Sequence, residues 1–122
     1  MEKAFVTPEI YPVFLYQCHP NSVGIQFKQI NMIIDSLYKI ILCRKLKMPK
    51  DSYVATLFRL GEDRIIQKVG EEATEVVIAA KNKNKQRIIS ETADLLFHLL
   101  VLLSFKNITL TNIEKELESR VE

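Results

Sequence analysis

Two short acidic runs in the second half of the chain have the spacing that phosphate chemistry requires. Glu71, Glu72 and Glu75 form the first, and Glu91 and Asp94 the second. Residues three and four apart share a helix face, so each run would present its carboxylates as a stripe. A single Glu-x-x-Glu is most often a solvated face, and Lys68 with Glu72 at i, i+4 is most often a surface ion pair. Two stripes on successive helices make a stronger case. Glu91, Asp94 and His98 stand at i, i+3 and i+7 among Ile88, Ile89, Leu95, Leu96, Phe97 and the Leu99–Leu103 run. A helix this apolar on nearly every side is normally buried. Bare carboxylates in such a setting cost several kcal/mol each unless paired or bound to a cation. If Glu72 and Glu75 face Glu91 and Asp94 across a helix pair, a divalent cation removes the repulsion.

All-oxygen ligation favours Mg2+, with Mn2+ as a substitute, over zinc. Magnesium keeps several waters and is commonly completed by substrate phosphates, so a polyphosphate is the expected ligand and hydrolysis of a phosphoanhydride the expected chemistry. His98 lies on the same stripe, but a histidine in such a helix more often serves the core or an interface than a metal. Gly70 sits mid-helix, where glycine costs about 1 kcal/mol relative to alanine. Close helix packing and close phosphate approach would each account for it.

The elements that must position these residues are helical. The chain has 122 residues, enough for one domain with a core, and 48% of them are hydrophobic and 26% charged. Three glycines and four prolines leave little room for a turn-rich β fold. A net charge of +2 is too small to indicate a nucleic-acid binder. Cys18 and Cys43 form no disulfide framework and are read as reduced thiols. The N-terminus lacks the pattern of a secretory leader, and no run reaches the roughly 18 apolar residues of a membrane span. The closest, Ile30 to Cys43, is interrupted by Asn31, Asp35 and Lys39. A cytoplasmic protein with no membrane partner is expected.

Residues 1–30, with Pro8, Pro12, Pro20 and the aromatics Phe5, Tyr11, Phe14 and Tyr16, have no sustained helical period and are expected to be an extension packed on the domain. Val13–Tyr16 fits a short strand or a hydrophobic strap. From Ile30 onwards Ile33, Ile34, Leu37, Ile40 and Ile41 follow helical spacing, and Pro49 stops that helix. Asp51 or Ser52 can cap a short helix from Tyr53 to about Leu60, and Gly61 suits its end. A long helix is predicted from Glu62 to about Lys81, then a polar turn at Asn82–Lys85, then a helix from about Gln86 to Phe105 that Asn107 breaks. Thr111–Glu114 fits a capping box for a last helix burying Leu110, Ile113 and Leu117. The expectation is an all-α bundle of four principal helices spanning residues 31–122.

At about 100° per residue, with Glu72 as zero, Ile65, Ile66, Val69, Ala73, Val76, Val77 and Ala80 fall between about 20° and 140°. Lys68, Glu75 and Ala79 lie within about 60° on the other side, with Glu71 just beyond. This places the carboxylates at the edge of an apolar core face.

Three runs, Ser52–Phe58, Lys68–Asn82 and Glu91–Leu103, closely resemble the phosphoribosyl-ATP pyrophosphohydrolase family, within the all-α nucleoside triphosphate pyrophosphatase superfamily. The superfamily signature is Glu-Glu-x-x-Glu followed on the next helix by Glu-x-x-Asp. The Lys-x-Gly-Glu-Glu-Ala run at Lys68 and the Ser-Tyr-x-x-x-Leu-Phe run at Ser52 narrow it to this family. The resemblance implies hydrolysis of 1-(5-phosphoribosyl)-ATP between the α and β phosphates, giving phosphoribosyl-AMP and pyrophosphate in the second step of histidine biosynthesis. It also implies a homodimer or higher homo-oligomer. By the same likeness Glu72, Glu75, Glu91 and Asp94 match the metal-binding acids, and Glu71 matches an extra acid that holds a second ion or helps activate water. Glu71, Glu72 and Glu75 are thus the expected catalytic residues. Lys68, Lys81 and Asn82 match phosphate or ribose contacts; Tyr53 suits stacking on adenine or a packing role, and Arg59, with Arg64, Lys83, Lys85 and Arg87, suits a phosphate-attracting rim. In some members a cyclohydrolase precedes the enzyme. Gln17–Ser22 resembles the end of that domain but lacks its cysteine pattern, so a bifunctional enzyme is not expected.

Two other readings fit the acidic stripes. A house-cleaning nucleotide pyrophosphatase would turn over dUTP or damaged nucleotides. A non-catalytic helical dimerisation module would use the stripes only for solubility or assembly.

Overall fold

The computed structural model describes residues 28–121 and, among them, only helices. They are α1 (Lys28–Lys47), α2 (Tyr53–Leu60), α3 (Glu62–Lys81), α4 (Lys85–Phe105) and α5 (Leu110–Glu118). The fold is all-α, as expected. The possible strand at Val13–Tyr16, the packing of residues 1–27 and Cys18 lie outside the described residues. Cys43 is half-buried with a free thiol.

Side-chain chemistry accounts for most of the boundaries. The α1 helix ends before Pro49, which has no amide hydrogen to extend it. Ser52 caps α2, its Oγ accepting from the Ala55 amide at 3.2 Å. Gly61 joins α2 to α3 with no further linker at φ 94°, a left-handed geometry that favours glycine. Glu62 and Asp63 place negative charge in the first turn of α3, where the helix dipole favours it. Asn84 caps α4 by accepting from the Arg87 amide at 3.1 Å.

The last cap lies two residues earlier than predicted. Thr109 and Asn112, rather than Thr111 and Glu114, form the capping box, with Thr109 Oγ1 accepting from the Asn112 amide at 3.2 Å and Asn112 Oδ1 from the Thr109 amide at 3.0 Å. Asn107 adopts φ 57° in the four-residue link between α4 and α5. Nor does α5 bury the side chains expected of it. Leu110 is half-buried against the core, whereas Ile113 and Leu117 are exposed.

The core gathers Tyr38 and Ile41 of α1, Val54 and Leu57 of α2, Ile65 of α3, and Phe97, Leu100 and Val101 of α4. Each fully buried aliphatic side chain contributes on the order of 2 kcal/mol. Ile33, placed on this face by its spacing, is exposed; Ile34, Leu37, Tyr38 and Ile41 carry the contact instead. Polar ties fix α1 to the end of α4. The Tyr38 hydroxyl donates to the Ile108 carbonyl, and Lys45 Nζ donates to the Ser104 carbonyl and to Asn107 Oδ1 at 2.6 and 2.9 Å. Lys106 pairs with Glu62 across the α3–α4 hairpin.

By length and composition α4, with mean hydropathy 1.7 over its most apolar window, could cross a membrane. This overturns the expectation that no run qualifies and that Ile30–Cys43 comes closest. Its buried Glu91, His98 and Ser104 and its packing against α1 and α3 mark it as a core helix.

Candidate active site

The α3–α4 hairpin builds the site. A three-residue turn at 82–84 folds α4 back along α3, bringing the Glu71–Glu75 segment opposite Glu91 and Asp94. The rotation of α3 differs from the sequence expectation. Its buried residues are Ile65, Lys68, Glu72 and Ala79, while Ile66, Val77 and Ile78 are exposed. The carboxylate stripe therefore occupies the buried side itself, and part of the apolar set faces out. Amphipathic spacing orients a helix by its apolar side only if the apolar side is what the chain buries.

Single carboxylate oxygens of Glu72, Glu91 and Asp94 lie within 4.8 Å of one another. Glu72 and Glu91 are buried and Asp94 half-buried. Glu75 adjoins this group through Glu91. A shared hydrogen bond with Glu91, then burial and the charges of Glu91 and Glu72, hold its carboxyl above the ordinary carboxylate range. A protonated acid next to an ionised one is how a crowded carboxylate set relieves repulsion. The four acids chosen from spacing are thus close neighbours, with Glu75 at the edge. The donor set is all oxygen, which suits a hard divalent cation.

Cations already offset part of this charge. Lys68 Nζ lies 3.0 Å from Glu72 Oε1 and 3.0 Å from Glu71 Oε2. Burial disfavours its charge, but the hydrogen bonds to Glu71 and Glu72 outweigh that and hold its pKa above the ordinary value. Glu71 is correspondingly lowered, first by the Lys68 hydrogen bond, and Arg64 adds a contact at 3.7 Å. Lys68 and Glu72 were weighed as a surface pair; they are a buried one. Arg87 Nη2 stands 3.3 Å from Glu91 Oε1.

Behind the acids, His98 is fully buried. Its Nδ1 donates to the Asp94 carbonyl at 2.7 Å and its Nε2 accepts from the Tyr53 hydroxyl at 3.0 Å. Burial lowers the pKa of the imidazole and raises that of the phenol, so both are neutral. The Tyr53 ring stacks on Phe97 with centroids 6.2 Å apart. His98 is a core histidine, and the contacts of Tyr53 with Phe97 and His98 are those of the packing role weighed for it. Arg59 donates to the Met48 and Pro49 carbonyls at 2.9 and 3.1 Å. Lys81 and Asn82 are exposed at the C-terminal end of α3, at least six residues past Glu75 and thus about 9 Å along the axis.

A cleft of about 440 Å³ opens beside the carboxylates, lined by Gly70, Glu71, Thr74, Glu75, Ile78 and Arg87. A Cβ added at Gly70 would meet nothing within 4 Å, which removes close packing within the chain as the reason for glycine there. Thr74 and the direct Arg87–Glu91 pairing were absent from the expected site. The i, i+4 spacing of Arg87 and Glu91 was the one available signal.

An all-α domain whose central hairpin converges acidic side chains beside an open cleft belongs, by fold and site, with the helical hydrolases of phosphoanhydrides. Residues 34–121 match the family model described as phosphoribosyl-ATP pyrophosphohydrolase, and the chain belongs to that family. It is 51% identical over 92 residues to the phosphoribosyl-ATP pyrophosphatase of Clostridium botulinum, covering 75% of this chain and 84% of that one. It is 60% identical over 77 residues to the enzyme of the same name from Leptospira biflexa, covering 63% and 84%. It is also 44% identical over 110 residues to the histidine biosynthesis bifunctional protein HisIE of Caldanaerobacter subterraneus, covering 84% of this chain and 54% of that protein. That last share is too large to fit within the described residues, so the similarity extends upstream of Lys28.

Proposed function

We propose that the chain hydrolyses 1-(5-phosphoribosyl)-ATP to phosphoribosyl-AMP and pyrophosphate, the second step of histidine biosynthesis, with Mg2+ held by Glu72, Glu75, Glu91 and Asp94. Mn2+ would substitute. The observation that carries this reading is the convergence of Glu72, Glu91 and Asp94 within 4.8 Å in a largely buried setting. Membership of the family supplies the substrate.

The bound ion would supply charge neutralisation for the triphosphate and acidify a coordinated water. The residues around it perform the remaining work. Glu71, which lines the cleft and is held ionised beside Lys68, would orient the attacking water and take its proton, with Glu75 of the same lining assisting once the ion has relieved its crowding. Lys68 holds Glu71 and Glu72 in fixed orientations, so the acids need little reorganisation on binding. Lys68, Lys81 and Asn82 remain assigned to phosphate or ribose. The contact of Tyr53 with His98 favours its packing role over adenine stacking, and Arg59 would join the phosphate-attracting rim by exchanging its bonds to the Met48 and Pro49 carbonyls.

The active form is a homodimer. Ile66, Val77 and Ile78 of α3 and Ile89 and Leu96 of α4 are exposed on the hairpin that carries the site, and a second copy is the occupant that would cover them. The catalytic unit is residues 31–122, residues 1–30 are an extension, and the enzyme acts in the cytoplasm without nucleic-acid or membrane partners.

Phosphorus NMR of reactions with phosphoribosyl-ATP, with and without Mg2+, tests the proposal. Pyrophosphate and phosphoribosyl-AMP should form only with the ion. Equal turnover of dUTP would favour a general nucleotide pyrophosphatase, and no turnover of either would leave a dimerisation module.

A further inference from the structure

Two basic residues offset the buried acids, and they differ in freedom. Lys68 is itself buried, its ammonium locked between Glu71 and Glu72. Arg87 is 47% exposed and holds Glu91, which is 3% exposed, by one contact of 3.3 Å. That is long beside the roughly 2.7–2.9 Å of a strong charge-assisted bond. Arg87 also lines the cleft, in the first turn of α4, and no other basic side chain contributes to that lining. Gly70 also lines it, with open space where a side chain would be. The cleft thus combines a guanidinium, unfilled room, and two acids, Glu71 and Glu75, the second of them part of the proposed ion site.

A guanidinium and a divalent ion compete for the same carboxylate. Arg87 draws on the charge of Glu91 through Oε1, and an exposed arginine with a single long contact is the partner that can leave when an ion takes that carboxylate. Once displaced, its planar array of donors suits a pyrophosphate group, which it can hold by paired hydrogen bonds. We propose that Arg87 is an exchangeable counter-ion: it neutralises Glu91 before the metal binds, yields that carboxylate to the metal, and turns into the cleft to hold the β and γ phosphates that leave as pyrophosphate. The inference rests on the metal site proposed above and adds a specificity-determining residue to it.

The test uses the full chain and two probes, Mn2+ alone and inorganic pyrophosphate added to the Mn2+-loaded protein. Mn2+ binding is followed by electron paramagnetic resonance and pyrophosphate binding by calorimetry. Arg87→Gln should bind Mn2+ roughly twofold to fivefold more tightly, the range an exposed ion pair supplies. The same variant should bind pyrophosphate about tenfold more weakly, through loss of a charge-assisted contact. Arg87→Lys should recover part of the pyrophosphate affinity. Lys85→Gln removes the same charge two residues away and should shift Mn2+ affinity less than Arg87→Gln does. The opposite signs at one residue distinguish exchange from a structural role, which would weaken both ligands. Equal Mn2+ shifts in Arg87→Gln and Lys85→Gln, or unchanged pyrophosphate affinity in Arg87→Gln, would overturn the exchange while leaving the metal site standing. A wild-type chain that binds no Mn2+ would overturn both.

Discussion

Lys68 Nζ and Glu72 Oε1 meet at 3.0 Å with only 6% and 7% of their side chains exposed, so the acid most central to the site faces a buried ammonium from its own helix. A buried pair is costly to make, and its loss is costlier because the remaining charge is stranded. Lys68→Met should therefore destabilise the metal-free chain by about 3 kcal/mol. Mg2+ should restore more stability to the variant than to the wild type, because the ion then becomes the main counter-charge. Urea titrations with and without Mg2+ measure both, and a Mg2+-independent loss would show that Lys68 acts apart from the ion site.

Asp94→Asn keeps the size of the side chain but removes a charge at the convergence point. Hydrolysis of phosphoribosyl-ATP should fall roughly a hundredfold or more, with the fold retained. Mn2+ binding should weaken in parallel. Retention of wild-type turnover would remove Asp94 from the site.

Glu75 gives the site a pH signature. Its carboxyl is raised above the ordinary range by Glu91, by burial and by Glu72. A carboxyl with a higher pKa folded than unfolded stabilises the fold fully below its unfolded value of about 4.3, and that contribution disappears as pH rises through the folded value. Glu71 shifts the opposite way because of Lys68, but it is common to wild type and variant. Metal-free Glu75→Gln should thus gain stability relative to the wild type as pH climbs from 4 towards neutrality. Parallel stability curves in urea titrations across that range would contradict the crowding of Glu75 against Glu91.

The Tyr53 hydroxyl is the partner of a fully buried imidazole nitrogen. Tyr53→Phe leaves His98 Nε2 without it, at a cost of roughly 1–2 kcal/mol, and should lower the melting temperature. The KM for phosphoribosyl-ATP should hardly move in this variant. Tyr53→Leu, which removes the ring, should lose further stability, again with little effect on KM if the ring serves Phe97 rather than adenine. A large rise in KM for the leucine variant alone would reinstate adenine stacking.

How far the sequence reveals this arrangement depends on whether the determining interaction is local. Ser52 and Asn84 cap helices through side chains three residues away from their partners, and the α2–α4 limits were accordingly readable. The same pattern misled at α5, where Thr111–Glu114 matches the usual Thr-x-x-Glu box but the chain caps the helix with Thr109 and Asn112, a side-chain pair the usual pattern does not flag. The two acidic stripes were legible because i, i+3 and i, i+4 spacing is fixed by the helix itself. The depth of Glu91 was legible too, from the apolar residues around it. The depth of Glu72 was not, since spacing locates the apolar side of α3 but not which side the rest of the chain covers. The neutral Tyr53–His98 contact spans 45 residues of sequence and had no local sign.

That rotation of α3 underlies the last prediction. Val77 is 62% exposed, and Ile66 and Ile89 are also out in solvent on the hairpin that carries the acids. Apolar surface of this kind on helices otherwise committed to a core is best accounted for by a second copy. Light scattering should give twice the 14.1 kDa of one chain. Val77→Glu would bury a charge at that junction and should shift the chain towards monomer while helical content is kept. Because the same hairpin positions Glu72 and Glu91, the monomer should also bind Mn2+ more weakly. A monomeric wild type, or a Val77→Glu dimer with undiminished concentration stability, would mean that something other than a second copy covers this face.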